Sequence, residues 1–580
     1  MRVRKREWAV VLAIVLGAFA CGGVVWAQEK SAAVETVSVT KTVRGRVVNQ
    51  VTKEPIGRAL VVTTGDEYAV MADDRGQFEM KITERVPQGP VPGLAGGTIG
   101  VGGITTSNGL TARKPGFLPM HRVVMVAFAL GSTAEQHADV TIPLVPEALI
   151  VGHVNVPGSE GEVRINCGLY QRRISEGSET WQVAGNFMTW ANGEFRFSGL
   201  EAGTYRLITH EQMDRDSRAA MPGAPLFGYP PIYYPNTTDF SLARPIVVKA
   251  GETAQVNLTV ERRAYYPVRI PVANAPAAGQ MEVSVHPMGH WGPGWALGYN
   301  TMEQTIEGML PDGNYTVEME ALVLAGSTGM ANFAVKGAPF EGTPVHLMPN
   351  TSVSVNIRTE FQHRQSDAEG GNAREAADMR PVNIAVGLSP TEEFGRPGRG
   401  YPARSVEGTN NRTLMIDNVK PGRYRVTAGG DGYVVSIESG GSDVMKQPLV
   451  VGMGGGIAPI EVTLRDDGAE VSGTVEGMNA GGTARETAQG SPTSFICLVP
   501  IGQGKWQQPM MMPAWNGMFQ FMQVPPGEYL LLGYEEDQVD LPYGEEEFVK
   551  KMEGKGQRIR VEAGEKVSVK VKLIAGGEGE

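Results

Sequence analysis

The stretch Trp515–Leu532 reads WNGMFQFMQVPPGEYLLL, and Trp190–Ile208 reads WANGEFRFSGLEAGTYRLI. Two segments more than three hundred residues apart share one order of parts. Asn516-Gly517 predicts a tight hairpin turn of type I′, because both residue types tolerate positive φ. Phe519 and Phe521 alternate with polar Gln520, the period-two mark of a half-buried strand. Pro525-Pro526-Gly527 ends that strand and turns the chain, and Tyr529 opens the next. The earlier copy supplies Asn192-Gly193, Phe195, Phe197, Gly203 and Tyr205. From asparagine to tyrosine the distance is 13 in both copies, 192 to 205 and 516 to 529.

Two degraded copies keep step. NRTLMIDNVKPGRYRV carries Asn411, Leu414, Ile416, Gly422 and Tyr424, and TIEGMLPDGNYTV carries Ile306, Gly313 and Tyr315 with one extra loop residue. The tyrosines at 205, 315, 424 and 529 are separated by 110, 109 and 105 residues, the length of one small β-sandwich. The units also close alike. IVVKAGETAQVNLTV (Ile246–Val260) and IRVEAGEKVSVKVKL (Ile559–Leu573) read strand, Ala-Gly-Glu turn, strand, and LMPNTSVSVNIR and VGMGGGIAPIEVTL take the matching places in the other two. Each Gly-x-Tyr is expected to form a corner in which the tyrosine hydroxyl bonds nearby backbone.

An earlier, divergent unit lies at Thr42–Ile82. VRGRVV reads as a strand, TKEPIGRA as a turn with Pro55 fixing φ, and LVVTTG as a second strand. Asp73-Asp74-Arg75-Gly76 is a tight turn into alternating Phe78 and Met80. Through GRVV…PIGRALVV…ADDRGQFEM and the later ARKPGF (Ala112–Phe117), this stretch resembles the carboxypeptidase regulatory-like domain. The later units resemble looser relatives of it through G-x-F-x-F…G-x-Y. The resemblance implies a transthyretin-like β-sandwich, the non-catalytic partner of the enzyme it is named for. ITERVPQGPVPGLAGGTIGVGG departs from the pattern where a glycine-x-tyrosine turn belongs. The expected fold is all-β: a tandem array of about five Ig-like, prealbumin-like β-sandwich domains after a signal peptide. The expected boundaries are 1–27 for the signal peptide, then 38–146, 147–262, 263–359, 360–466 and 467–575. The fourth unit includes a polar segment at 363–381 that reads as a loop or brief helix, and 477–494 reads as a loop by composition.

The bulk numbers agree. The chain has 580 residues, enough for four or five domains, and Gly 75 with Pro 38 suits short strands and many turns. MRVRKRE is a basic leader followed by the apolar run Trp8–Ala20, which is short for a membrane span. Val25-Trp26-Ala27 offers a cleavage site before Gln28, with acylation of Cys21 as the rival processing route. The expectation is an exported protein, periplasmic, outer-membrane-associated or extracellular, with no transmembrane span in the mature chain. The leader carries a net charge of +3 from Arg2, Arg4, Lys5, Arg6 and Glu7, so its removal takes the formal charge from −11 to −14. An acidic surface repels phosphate backbones, which argues against nucleic acid as a partner. Cys167 and Cys497 fall in different units and read as separate buried thiols.

No catalytic motif emerges. Among the eight histidines none has glutamate three residues on, and His210-Glu211 is followed at the next ligand position by Asp214. His286 and His290 lie in HPMGHWGPGW, whose prolines and glycines read as a loop. Gly-x-Ser-x-Gly and Walker loops are absent from the sequence. DDRG and RDDG fit plain turns better than calcium ladders, and PMMMP (Pro509–Pro513) fits packing better than soft-metal binding. No catalytic residue, metal site or cofactor is assigned. The candidate ligand surface is aromatic: Trp181, Trp190, Trp291, Trp295, Trp506 and Trp515, which fall as three pairs, and the proline-stiffened Tyr229, Tyr233 and Tyr234. Aromatic faces at sandwich loops can stack on sugar rings, whereas recurrent tryptophans also suit a recurrent core. The expected function is non-catalytic binding at the cell envelope, with carbohydrate first because starch-binding-like sandwiches share the resembled fold. The alternatives are a structural or adhesion spacer contacting envelope proteins and, disfavoured, a hydrolase or accessory subunit of a peptidase.

Overall fold

The computed structural model describes residues 36–87, 105–119, 124–129, 136–157, 163–175, 178–214, 226–276, 280–289, 292–322, 326–361, 382–391, 400–476, 494–502, 509–515, 517–534, 541–543 and 545–574. The leader with Cys21, the segment 363–381, nearly all of 477–494, His290, Trp291 and Trp506 lie outside these residues. Among the described residues the regular structure is strand throughout, apart from one α-helix, Glu546–Met552, and a single 3-10 turn, Phe240–Leu242.

The strands form ten sheets that pack as five face-to-face pairs in chain order. In the second pair, Glu194–Leu200, Ala148–Asn155 and Thr253–Thr259 make one sheet. Ser178–Met188, Asn166–Ser175, Gly203–Thr209 and Ile246–Val248 make the other. Ile150, Phe195, Phe197 and Leu258 from the first meet Cys167, Leu169, Tyr205 and Leu207 from the second in one core. The alternation expected from sequence orients these side chains: Phe195 and Phe197 point in while Glu194 and Arg196 point out. The other four cores are separate clusters built in the same way. The protein is thus a tandem array of β-sandwiches.

Every sandwich is organised around its opening strand. That strand runs antiparallel to the strand after the turn and parallel to the closing strand. Thr36–Asn49 lies between Gln77–Pro87 and Gln136–Leu144. Ala148–Asn155 lies between Glu194–Leu200 and Thr253–Thr259. Arg263–Ala273 lies between Thr305–Pro311 and two short strands, Phe340–Glu341 and Val345–His346. Thr351–Glu360 lies between Thr413–Val419 and Ile460–Arg465. Ala469–Val475 lies between Met518–Val524 and Lys566–Val571. Thr351–Glu360 therefore corrects the sequence alignment. The TSVSVNIR segment does not close the third sandwich; it opens the fourth. An alternating apolar strand looks the same at either end of a unit, and only pairing tells the two apart.

The tyrosine corner occurs in all four copies. Tyr205 donates to the Glu201 carbonyl at 2.8 Å, Tyr315 to Pro311 at 3.0 Å, Tyr424 to Lys420 at 2.9 Å and Tyr529 to Pro525 at 2.7 Å. Each ring folds back over its own turn, which explains the glycine two residues earlier: a Cβ at Gly313 would sit 2.9 Å from the Tyr315 hydroxyl. The Ala-Gly-Glu turns also have a physical cause. Gly251 and Gly564 adopt φ of 80° and 71°. Glu252 and Glu565 close their own turns by accepting the Lys249 and Glu562 N–H groups, each at 2.8 Å.

The Asn-Gly turn differs from expectation at its first copy. Only Gly193 takes positive φ (82°), the Gly193 N–H bonds the Trp190 carbonyl, and the Trp190 N–H bonds Glu194. This is a three-residue loop closed by a glycine bulge rather than a type I′ turn. Asp73–Gly76 in the first sandwich is built identically, with Gly76 at φ 73° and Phe78 two residues on. A second hidden repeat ties that divergent sandwich to the rest. Gly45, Gly152 and Gly473 occupy the opening strands, where a Cβ would strike the closing-strand carbonyls of Val140, Val256 and Val569. The rings of Phe78, Phe195 and Phe519 cover the same three glycines.

Candidate functional site

The aromatic candidates divide by burial. Trp181 is 3% exposed and Tyr233 1%. They pack edge-on against Phe240 at centroid distances of 6.0 and 5.4 Å, with the Arg206 guanidinium 4.3 Å from the Trp181 ring. Tyr229 is buried in the second core and Tyr234 packs against that core. The proline-rich loop folds back on its own sandwich, with Tyr229 turned into the core and Tyr233 packed with Trp181 and Phe240, so that Trp181, Tyr229 and Tyr233 are all buried. Trp295 is half-buried, edge-on to Tyr315 at 5.5 Å. Only Trp190 (50% exposed) and Trp515 (56% exposed) stand out from the surface among the described tryptophans. Each sits at the start of the repeated glycine turn. Trp190 leans on Phe187 at 5.1 Å, while Met518 and Met522 are also exposed in the turn and strand that follow Trp515.

The joints between sandwiches carry polar contacts of their own. The first joint is Val145, Pro146 and Glu147, between Leu144 and Ala148. Leu118 N–H bonds Val145 O, Glu147 N–H bonds Gly116 O, and the Glu147 carboxylate accepts Gly199 N–H at 2.7 Å. The fourth joint is Asp466, Asp467 and Gly468. Buried Asp467 accepts the Tyr433 hydroxyl at 3.0 Å and pairs with Arg465 behind it, while its carbonyl accepts Gly564 N–H from the sandwich ahead. At the third joint, Lys420 pairs with Glu320, and Asn350 links Thr328 to Asn418. Burial raises the neighbouring Glu318 carboxyl, opposed by His286 and Lys420.

The second joint joins two sandwiches by a strand. Val260, Glu261 and Arg262 form the link. Leu226–Tyr229, which belongs to the chain of the second sandwich, adds antiparallel onto the third by pairing Leu226, Phe227 and Gly228 with Tyr265, Ala264 and Arg263. Arg262 lies over the Phe227 ring at 3.9 Å and bonds Asp214 at 2.5 Å. Beneath this seam the Glu211 N–H bonds Gly294 O, and the Tyr233 hydroxyl bonds Pro293 O at 2.9 Å. The Glu211 side chain is largely buried, and its carboxyl faces the Tyr265 hydroxyl and the Ala296 N–H. Burial pushes the Glu211 carboxyl up to about 8, while the facing Tyr265 hydroxyl and Ala296 N–H hold it lower than burial alone would. Burial also raises Tyr265 and Tyr315. At neutral pH the joint therefore favours a protonated acid among neutral phenols.

Among the described residues no group of three or more His, Cys, Asp or Glu side chains is placed to hold a metal ion. His286 is not in a loop; it is buried near the end of the strand Gln280–Pro287. Met510–Ala514 is likewise a strand, with Met510 and Met512 against the fifth core. Asp73 spends its carboxylate on the N–H groups of Arg75 and Gln77, at 2.9 and 2.7 Å. Cys167 and Cys497 form no disulfide with each other and are buried in different cores, and burial pushes the Cys167 thiol up to about 12. No described helix is long and apolar enough to cross a membrane. Sequence reasoning missed Glu147, Glu211 and Asp467. Their one signal is position, since two lie within three residues of a closing strand and Glu211 sits just past the Tyr205 strand.

No family model matches this chain, and no curated protein matches it. Solved structures do. The Bacillus anthracis TIE protein is matched over 74% of this chain and 68% of its own, at 12% identity and a TM-score of 0.14. The shaft pilin SpaA from Lactobacillus rhamnosus GG is matched over 39% and 98%, at 9% identity and 0.18. A streptococcal ancillary pilin is matched over 54% and 100%, at 10% identity and 0.18. At these scores the likeness carries no argument, and the fold rests on the strand pairings above.

Proposed function

We propose that this is an exported, non-enzymatic spacer of five β-sandwiches at the cell envelope, stiffened at its joints and contacting envelope proteins. The observation that carries this reading is the construction of the joints. Links of three residues at the first, second and fourth are hydrogen-bonded to neighbouring residues, and the second is reinforced by a shared sheet. A binding module on free tethers needs none of this, because flexible linkers of ordinary length suffice. The basic, then apolar leader supports export. The Gly-x-Phe element of the first sandwich supports kinship with carboxypeptidase regulatory-like domains, a fold-level analogy that does not assign activity. The units run 38–146, 147–262, 263 to about 350, then to 466, and 467–575, with the third junction moved back to include Thr351 in the fourth unit.

Small-angle scattering on the mature chain tests the reading. A stiff spacer gives one narrow distribution of maximum dimension, unchanged by salt. A broad distribution typical of freely jointed domains overturns it. Glycan binding is a second reading, favoured by the two exposed tryptophans at equivalent turns. It predicts a shift of tryptophan fluorescence with some polysaccharide that is lost in Trp190→Ala or Trp515→Ala. An unresponsive glycan array ends it.

A further inference from the structure

The terminal strands of these sandwiches share an uncommon feature for an antiparallel fold: they are parallel neighbours. Thr36–Asn49 pairs with Gln136–Leu144 in register from Lys41↔Gln136 to Asn49↔Leu144. Ala148–Asn155 pairs with Thr253–Thr259 from Leu149↔Thr253 to Asn155↔Thr259. Thr351–Glu360 pairs with Ile460–Arg465 from Val355↔Ile460 to Glu360↔Arg465. Ala469–Val475 pairs with Lys566–Val571 from Glu470↔Lys566 to Val475↔Val571. The chain enters each sandwich at the start of the first of these strands and leaves at the end of the second.

We propose that the chain bears tension along its length, and that each sandwich resists it by shear between its opening and closing strands. The argument is geometric. When a chain is pulled from its ends, the opening strand is drawn by its first residue and the closing strand by its last. In parallel neighbours those two points lie at opposite ends of the ladder. The whole row of hydrogen bonds is then loaded at once and must fail together. Antiparallel terminal strands would be loaded at one shared end and would unzip bond by bond. The short, pinned joints carry force from one clamp to the next with little slack.

The third sandwich is the designed weak point of this series. Its closing strand is split into Phe340–Glu341 and Val345–His346, which meet Arg263–Ala273 over only Val268↔Phe340, Arg269↔Glu341, Val272↔Val345 and Ala273↔His346. Its opening strand also contains Pro267 and Pro271, which have no N–H to donate. The added strand Leu226–Tyr229 is anchored in the second sandwich and moves with the incoming chain, so it does not strengthen the clamp. The third sandwich therefore yields first and lengthens the protein while the other four hold. The inference rests on the spacer reading for its use, although its mechanics stand on strand topology alone.

Single-molecule force spectroscopy on the full mature chain, held by its ends, tests it. Five steps are expected. The first, at the lowest force, releases the shortest length, about 28–30 nm for residues 263–346, against about 34–41 nm for the others. A second geometry isolates the clamp. Asn155→Cys and Glu261→Cys place handles on exposed positions at the same end of the second ladder, so pulling peels it rather than shears it. Cys167 and Cys497 are buried and do not compete for the handles. A variant with an unchanged thermal transition should rupture through these handles at half the end-pulled force or less. Equal forces in both geometries, or a longer step preceding the shortest, overturn the proposal. Scattering separates the two failures: a stiff chain that ruptures equally in both geometries refutes the clamp alone, whereas a flexible chain refutes the spacer.

Discussion

Replacing Glu211 with glutamine tests the second joint where its chemistry is most exposed to measurement. The carboxyl has an ordinary value of 4.5 and is pushed up to about 8 by burial. Arg263 lies near enough to act on Tyr265 and Tyr315, and neither phenol ionises in this range because both are raised. The folded state thus holds this proton more tightly than the unfolded chain does. Below pH 4.5 both states are protonated and the group has no differential effect. As pH rises from about 4.5 to about 8, the unfolded chain ionises first, and the folded state loses about 1.4 kcal/mol of stability per pH unit. The ceiling is about 5 kcal/mol over the window, and above pH 8 the loss levels off. Glu211→Gln keeps the shape and removes the titration. Calorimetry should find the variant close to the parent at pH 5 and more stable by several kcal/mol at pH 8.5, in the transition that reports the second and third sandwiches. Parallel stability curves from pH 5 to 9, or a variant less stable at pH 8.5, would refute the assignment of a buried neutral acid.

Two further substitutions test the repeat itself. Tyr529→Phe removes the 2.7 Å bond to the Pro525 carbonyl and should cost the fifth sandwich about 1–2 kcal/mol in urea unfolding; an unchanged midpoint would mean the corner contributes only its ring. Gly152→Ala drives a Cβ into the Val256 carbonyl between opening and closing strands and should destabilise the second sandwich by about 3 kcal/mol or more. Gly429→Ala, where nothing lies within 4 Å, is the control and should be near neutral.

Much of the fold was legible because it rests on local chemistry repeated at a fixed interval. Phe195 and Phe197 alternate with charged residues, so their strand and its inward face followed from period alone. The corner at Tyr205 followed from Gly-x-Tyr, because ring, glycine and accepting carbonyl all lie within five residues. Thr351–Glu360 was misassigned for the opposite reason: its partners lie about 60 and 105 residues away, and nothing within the strand names them. Burial divides the aromatic candidates for the same reason. Trp181 and Trp190 look alike in sequence, yet Trp181 is covered by Phe240, from a loop about 60 residues later, while Trp190 stands clear.

By itself the sequence determined an all-β chain of repeated sandwiches, the positions of four tyrosine corners and the separation of the two thiols. These depend on side-chain period, turn chemistry and spacing, which act over a few residues and survive in any context. Tertiary structure alone decided which strand opens each unit, which rings are hidden, and that Glu147, Glu211 and Asp467 stand at the joints. It alone set opening and closing strands side by side and parallel. Those facts arise where segments remote in the chain meet, and there burial and hydrogen bonding belong to the pair of surfaces rather than to either stretch of residues.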